Sequence, residues 1–176
     1  MSERIYQWEA ICWIRTELKN VKFAGFPGIE AIPEENIVVH PFTLDQDSND
    51  DWLRELRPGV VISPARTASV GGSLNCEDDV DYPITIQFFD RDMSTRPDEE
   101  RLQGWLLWQQ KARQIFSETD CRGEIPDLLW MSVPSQQWVE KQRFQRHRLA
   151  LWAMPVVVKM REPRAASSRS GGINGE

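Results

Sequence analysis

Residues 82–89, Tyr-Pro-Ile-Thr-Ile-Gln-Phe-Phe, set Ile84, Ile86 and Phe88 on one side of an extended chain and Thr85, Gln87 and Phe89 on the other. Side chains alternate across a strand with a period of two, so this run predicts a strand with one face against a core. Such a face has to be covered by a second layer, and two segments carry the helical period that could supply it. In the first, Ile5, Trp8, Ile11, Cys12, Ile14, Leu18 and Val21 recur at three- and four-residue spacing with Glu9, Arg15, Glu17 and Lys19 between them. Ser2 suits the cap of this helix, which should stop before the Gly and Pro of residues 23–28. In the second, Thr95 can cap and Pro97 suits the first turn, while Asp98, Glu99 and Glu100 sit where the helix dipole favours negative charge. Leu102, Trp105, Trp108, Ala112, Ile115 and Phe116 form its apolar stripe, ending near Cys121.

Further strands are expected at 37–42, 59–63, 127–133 and 147–160. Pro41 makes the first of these an edge or ends it, the compact run Gly59-Val-Val-Ile-Ser63 suits a buried strand, and Pro155 implies a bulge or an edge position in the last. Residues 43–57 read as a loop with one helical turn near Trp52, and residues 64–81 as a long loop without periodicity. Two helices beside mainly antiparallel strands define an α+β fold: one mainly antiparallel or mixed sheet with both helices packed on it. At 176 residues, one such domain is expected over 1–162, with 163–176 as a flexible C-terminal tail too polar to fold alone.

Apolar residues make up 40% of the chain and charged residues 27%, which places it among globular proteins. Eight tryptophans can fill a core and also line a subunit interface, where Trp and Arg are enriched. Cys12, Cys76 and Cys121 are far apart and form no C-x-x-C motif, so reduced thiols and no disulfide are expected. The N-terminal residues lack the basic leader and apolar run of a secretory signal, and the longest apolar stretch, 149–158, is half the ~20 residues a spanning helix needs. A net charge of −6 argues against general nucleic-acid binding. The charge is also segregated: nine acids face two arginines between Cys76 and Glu100, whereas eight bases face one acid between Lys141 and Arg169. Solvated faces explain this as well as an acidic surface on one copy that meets a basic surface on its neighbour.

Reactive groups are sparse. No phosphate-cradling glycine motif occurs, and Gly71-Gly-Ser73 lacks the second glycine of a nucleophile elbow. The two histidines, His40 and His147, read as strand residues rather than general bases. Residues 45–51 place oxygen ligands as an EF-hand loop does, but Asp50 stands where the turn needs Gly and Leu56 where the bidentate Glu belongs. Cys76 with Glu77, Asp78, Asp79 and Asp81 reads as a solvated loop rather than a metal site. No catalytic residue, metal or cofactor is therefore assigned.

The element order, together with Gly59-Val-Val-Ile-Ser-Pro-Ala65, Asn75-Cys-Glu-Asp-Asp-Val-Asp-Tyr-Pro83, Leu102-Gln-Gly-Trp-Leu-Leu-Trp108 and the closing Arg161-Glu-Pro-Arg164, resembles the tail terminator proteins of long-tailed bacteriophages. The resemblance implies a structural virion protein of the tail or neck, assembled in the host cytoplasm, that caps the tail tube as a hexameric ring. Its partners would be further copies of itself, the tail tube protein and the head-tail connector or stopper. A head-side connector or stopper subunit and a small-ligand-binding module are the alternatives. Charge and loop length nominate Arg66, Asp78, Asp79, Asp81, Arg143, Arg146, Arg148 and Arg164 as interface residues, with the 64–81 loop reaching toward a tube or connector subunit.

Overall fold

In the computed structural model, two long strands, β4 (Glu77–Arg91) and β6 (Leu149–Pro163), pair antiparallel over their whole length, from Glu77 opposite Pro163 to Arg91 opposite Leu149. The structure describes residues 4–20, 32–43, 59–65, 68–74, 77–91, 98–117, 125–134 and 149–163. The free edge of β4 is shared end to end by two shorter strands. β2 (Gly59–Pro64) pairs with residues 84–89 and β3 (Ser69–Leu74) with residues 77–81. β1 (Ile37–Val39) lies parallel to β2, and β5 (Leu128–Ser132) lies antiparallel along the other side of β6. The result is one mixed six-stranded sheet, ordered β1-β2-β4-β6-β5 with β3 beside β4. With the helices α1 (Tyr6–Lys19) and α2 (Asp98–Ser117), this is the expected α+β architecture.

Both helices cover the same face. Ala10, Ile11, Ile14 and Leu18 of α1 and Trp108, Ala112 and Phe116 of α2 meet Val60, Ile62, Ile84, Ile86, Phe88, Trp152, Met154, Val156, Val158 and Met160 from the sheet. The alternation of residues 84–89 therefore points as its pattern implies, with Ile84, Ile86 and Phe88 toward the helices. Aromatic rings bind the layers together. Trp152 stacks on Phe88 at 5.5 Å with 7° between planes, and Trp105 and Trp108 approach this pair from α2 at 6.1 and 6.2 Å. Trp13 of α1 meets Phe116 of α2 edge-on at 6.1 Å, which joins the two helices directly. Each side chain of this size contributes about 1.5–3 kcal/mol by leaving water.

β2 is buried on both faces, because Val61 and Ser63, which point away from the helices, are as inaccessible as Val60 and Ile62. This explains why its sequence is a continuous apolar run instead of an alternating one. Gly59 is fixed by contact rather than by backbone angle: a Cβ there would lie 2.4 Å from the Phe89 ring.

Several expectations require correction. Residues 64–81 are not a loop, since they contain β3 and the start of β4; their strand character comes from pairing with a long neighbour and not from an apolar period of their own. The first helix begins at Tyr6 with Ile5 at its N-cap and no side-chain cap bond, and Ser2 lies outside the described residues. Arg4 pairs with Glu9 in the first turn through two contacts of 2.7 Å. Leu102 is exposed rather than part of the buried stripe of α2. β1 ends at Val39, although His40 extends its pairing by donating its backbone N–H to Ile62 O at 2.9 Å. Of the two readings of Pro155 the edge position holds among the described residues: it causes no break in the β4 register and sits opposite Thr85, beyond the last β5 pair at Val157. Thr95, Pro97, Trp52, Trp138, His147, residues 44–58 and residues 164–176 lie outside the described residues.

Candidate interaction surfaces

The sheet changes character toward Glu77 and Pro163. On the face away from the helices, the register places Asp81 opposite Lys159 and Asp79 opposite Arg161. Directly opposed charges on one face attract, and here they meet: Lys159 Nζ lies 3.4 Å from Asp81, and Arg161 Nε donates to Asp79 at 3.0 Å with Glu77 at 3.7 Å. Asp79 holds the Arg161 guanidinium above its ordinary value, first by the hydrogen bond and then by charge. β5 adds an aromatic side chain to this row, with Lys159 Nζ 5.5 Å above the Trp130 ring. β3 completes it from the other side, where Gly71 brings the chain close enough that an added Cβ would sit 3.6 Å from Lys159 Nζ and 3.2 Å from Asp79 O.

The helix-side face of the same rows has the opposite arrangement. Asp78 and Glu162 are direct cross-strand partners of like charge. The Tyr82 hydroxyl donates to the Glu162 carboxylate, and burial followed by the nearby Asp78 pushes the Glu162 carboxyl above the usual carboxylate range. A third polar group ties the N-terminus to β5. Arg4 bonds Asp127 at 2.5 Å and Pro126 O at 3.2 Å while its guanidinium lies 4.4 Å over the Tyr6 ring. Asp127 adopts φ 66°, and its carbonyl accepts the Arg161 N–H at 2.9 Å.

The nominated interface residues separate into three groups. Asp79 and Asp81 lie on the outer sheet face, engaged by Arg161 and Lys159 of the same chain. The acidic and basic clusters of the sequence thus meet at least partly within one molecule. Asp78 lies on the opposite face beside Glu162. Arg66, Arg143, Arg146, Arg148 and Arg164 lie outside the described residues.

Sequence reasoning overlooked the outward apolar groups. Ile5 at the N-cap of α1, Trp8 on α1, Leu102 and Leu106 on α2, Phe42 after β1, Val70 on β3 and Trp130 on β5 are all exposed. Trp130 was concealed by a bulge: the register shifts between Leu128 and Trp130, so Leu128 and Met131 are both buried and Trp130, which regular alternation from Leu128 would have turned inward, faces out.

Among the described residues, no group of three or more His, Cys, Asp or Glu side chains is placed to hold a metal ion, and no helix is long and apolar enough to cross a membrane. Cys12 is an exposed free thiol, whereas Cys76, Cys121 and residues 45–51 lie outside the described residues. No known family model matches the chain, and no curated protein matches it.

Proposed function

We propose that this chain is a structural subunit of a bacteriophage tail, which closes the tail tube as an oligomeric ring, hexameric by its resemblance to tail terminators, and joins it to the head connector. The observation that carries the reading is the distribution of large exposed apolar side chains. Trp8 is 51% exposed on α1 and Trp130 41% exposed on β5, with Leu106 on α2 and Val70 on β3. Tryptophan is among the residues enriched where subunits bury surface, and here it faces outward from two separate elements. A subunit within a ring contacts a neighbour on each side, and therefore needs two different patches instead of one.

The test is the mass of the purified protein by light scattering, alone and with the tail tube subunit. A discrete ring, or a defined complex with the tube subunit, is expected. A monomer that ignores the tube subunit at high concentration overturns the reading. Electron microscopy of particles made without the protein distinguishes the terminator role from a head-side stopper, because only loss of a terminator leaves tails of uncontrolled length.

A further inference from the structure

The rows that carry the charge ladder end in two open strand edges. At this level the sheet reads β3-β4-β6-β5, with Ser69, Asp81, Lys159 and Trp130 in one row and Val70, Val80, Met160 and Leu128 in the next. Among the described residues, β3 pairs only with β4 and β5 only with β6, so each has one side without a strand partner. Edge strands are normally blunted with charge or proline. Neither device is used here, since β3 is Ser-Val-Gly-Gly-Ser-Leu and β5 is Leu-Leu-Trp-Met-Ser. Each strand instead carries a one-residue register shift, which bends an edge and restricts what can pair with it.

We propose that the β3 edge of one copy pairs with the β5 edge of a second copy, head to tail, so that the sheet continues from subunit to subunit. The proposal rests on the ring reading above and specifies the contact that builds it. Three features favour a second copy in this arrangement. The first is direction: β3, β4, β6 and β5 alternate, so β5 and β3 run oppositely, and a neighbour in the same orientation presents β3 antiparallel to β5. The second is shape. On the face away from the helices, β5 presents the exposed Trp130 ring and β3 presents the exposed, side-chain-free Gly71. An aromatic ring laid across a glycine of the next strand covers backbone that the glycine leaves bare. Pairing like edges would instead set glycine beside glycine and indole beside indole.

The third feature is charge. The strand behind β3 carries Glu77, Asp78, Asp79 and Asp81, and the strand behind β5 carries Lys159 and Arg161 on the outer face with Glu162 on the other. Joining unlike edges continues the alternation of acidic and basic strands, whereas joining two β3 edges opposes two acidic strands. Those strands would lie three spacings apart, about 14 Å, which exceeds the ~8 Å screening length at physiological salt. At that separation charge adds only a weak bias, so strand direction and shape select the orientation, and the backbone bonds and the Trp130 contact supply the affinity.

Complementation between two full-length variants tests the contact. Val70→Lys places a charge on the β3 edge and Trp130→Glu places one on the β5 edge; Trp130→Phe is the conservative control. Each charged variant alone should self-associate about 100-fold more weakly than wild type, and Trp130→Phe should remain close to it. A mixture of the two charged variants should form a one-to-one heterodimer, because each retains the edge that the other lacks. Hydrogen exchange on the unmodified protein gives an independent readout: amides of 69–74 and 128–132 should slow on assembly. A wild-type oligomer with those amides unprotected, or charged variants that assemble normally, overturns edge pairing and leaves the ring reading standing. Self-association of only the variant with an intact β3 edge, with no heterodimer, overturns the head-to-tail arrangement in favour of a symmetric dimer. A wild-type monomer that ignores the tube subunit overturns both.

Discussion

β4 and β6 run side by side from end to end, yet the two halves of this pair are held by different forces. Near Phe88 and Trp152 the strands lie beneath two helices, and stacked rings fill the space between them. Near Asp79 and Arg161 the outer face carries cross-strand ion pairs that remain partly in contact with water. The first half resembles the interior of a larger protein, where dispersion and the exclusion of water dominate. In the second half, exposed ion pairs add little stability but fix which residue stands opposite which. A one-residue slip of β6 would set Lys159 and Arg161 on the helix face and bring Met160 out to solvent. The ladder therefore acts mainly as a register lock for a strand whose packing energy lies elsewhere.

Three substitutions can break or sharpen this contrast. The largest effect is expected from Trp152→Ala, which removes the ring between Phe88 and Trp105 and should lower unfolding stability by about 3–5 kcal/mol in denaturant titrations. A loss below about 1 kcal/mol would mean that the covered half is not a tightly packed core. Gly59→Ala comes next, because its methyl group would collide with the buried Phe89 ring; a cost of about 1–3 kcal/mol, read from the same titrations, is expected.

The smallest effect, and of opposite sign, is expected at the charged end. Glu162→Gln keeps an acceptor for the Tyr82 hydroxyl and removes the like-charge opposition to Asp78, so it should stabilise the protein at neutral pH by less than about 1 kcal/mol. The folded-state value of Glu162 is raised, so the folded protein holds that proton more tightly than the unfolded chain does. The wild type therefore gains stability as pH falls through the raised value toward the ordinary carboxylate range, and loses it above. The advantage of Gln should accordingly fade over that window. An advantage that grows on acidification would contradict the assignment.

The sequence revealed the elements whose periodicity is their own. Residues 84–89 alternate, residues 59–63 form an unbroken apolar run, and both helices show three- and four-residue spacing; these patterns record burial against the core at most of their positions, although Ile5, Trp8 and Cys12 of the first helical stripe and Leu102 of the second are exposed. β3 left no such trace. Its residues are small and polar apart from Val70 and Leu74, and they are extended because β4 projects past β2 and offers an edge. The acids at 77–81 misled for a related reason. Their partners Lys159 and Arg161 lie some eighty positions away, as with the 82-residue separation of Arg161 and Asp79, so a local window reads two solvated clusters where the fold makes one ladder. The parallel pairing of β1 and β2 was equally hidden. Parallel neighbours cannot be joined by a tight turn, so no local hairpin signal marks them in the sequence.

The central position of β6 also governs when the molecule can fold. It lies between β4 and β5 and carries Trp152, Met154, Val156, Val158 and Met160 into the core, yet it follows every other described strand in the chain. As the polypeptide leaves the ribosome, β4 must wait with one long side open until more than half a hundred further residues have been made. The nascent chain therefore holds β4 with one apolar edge open while those residues are made, a window in which wrong pairing competes with right.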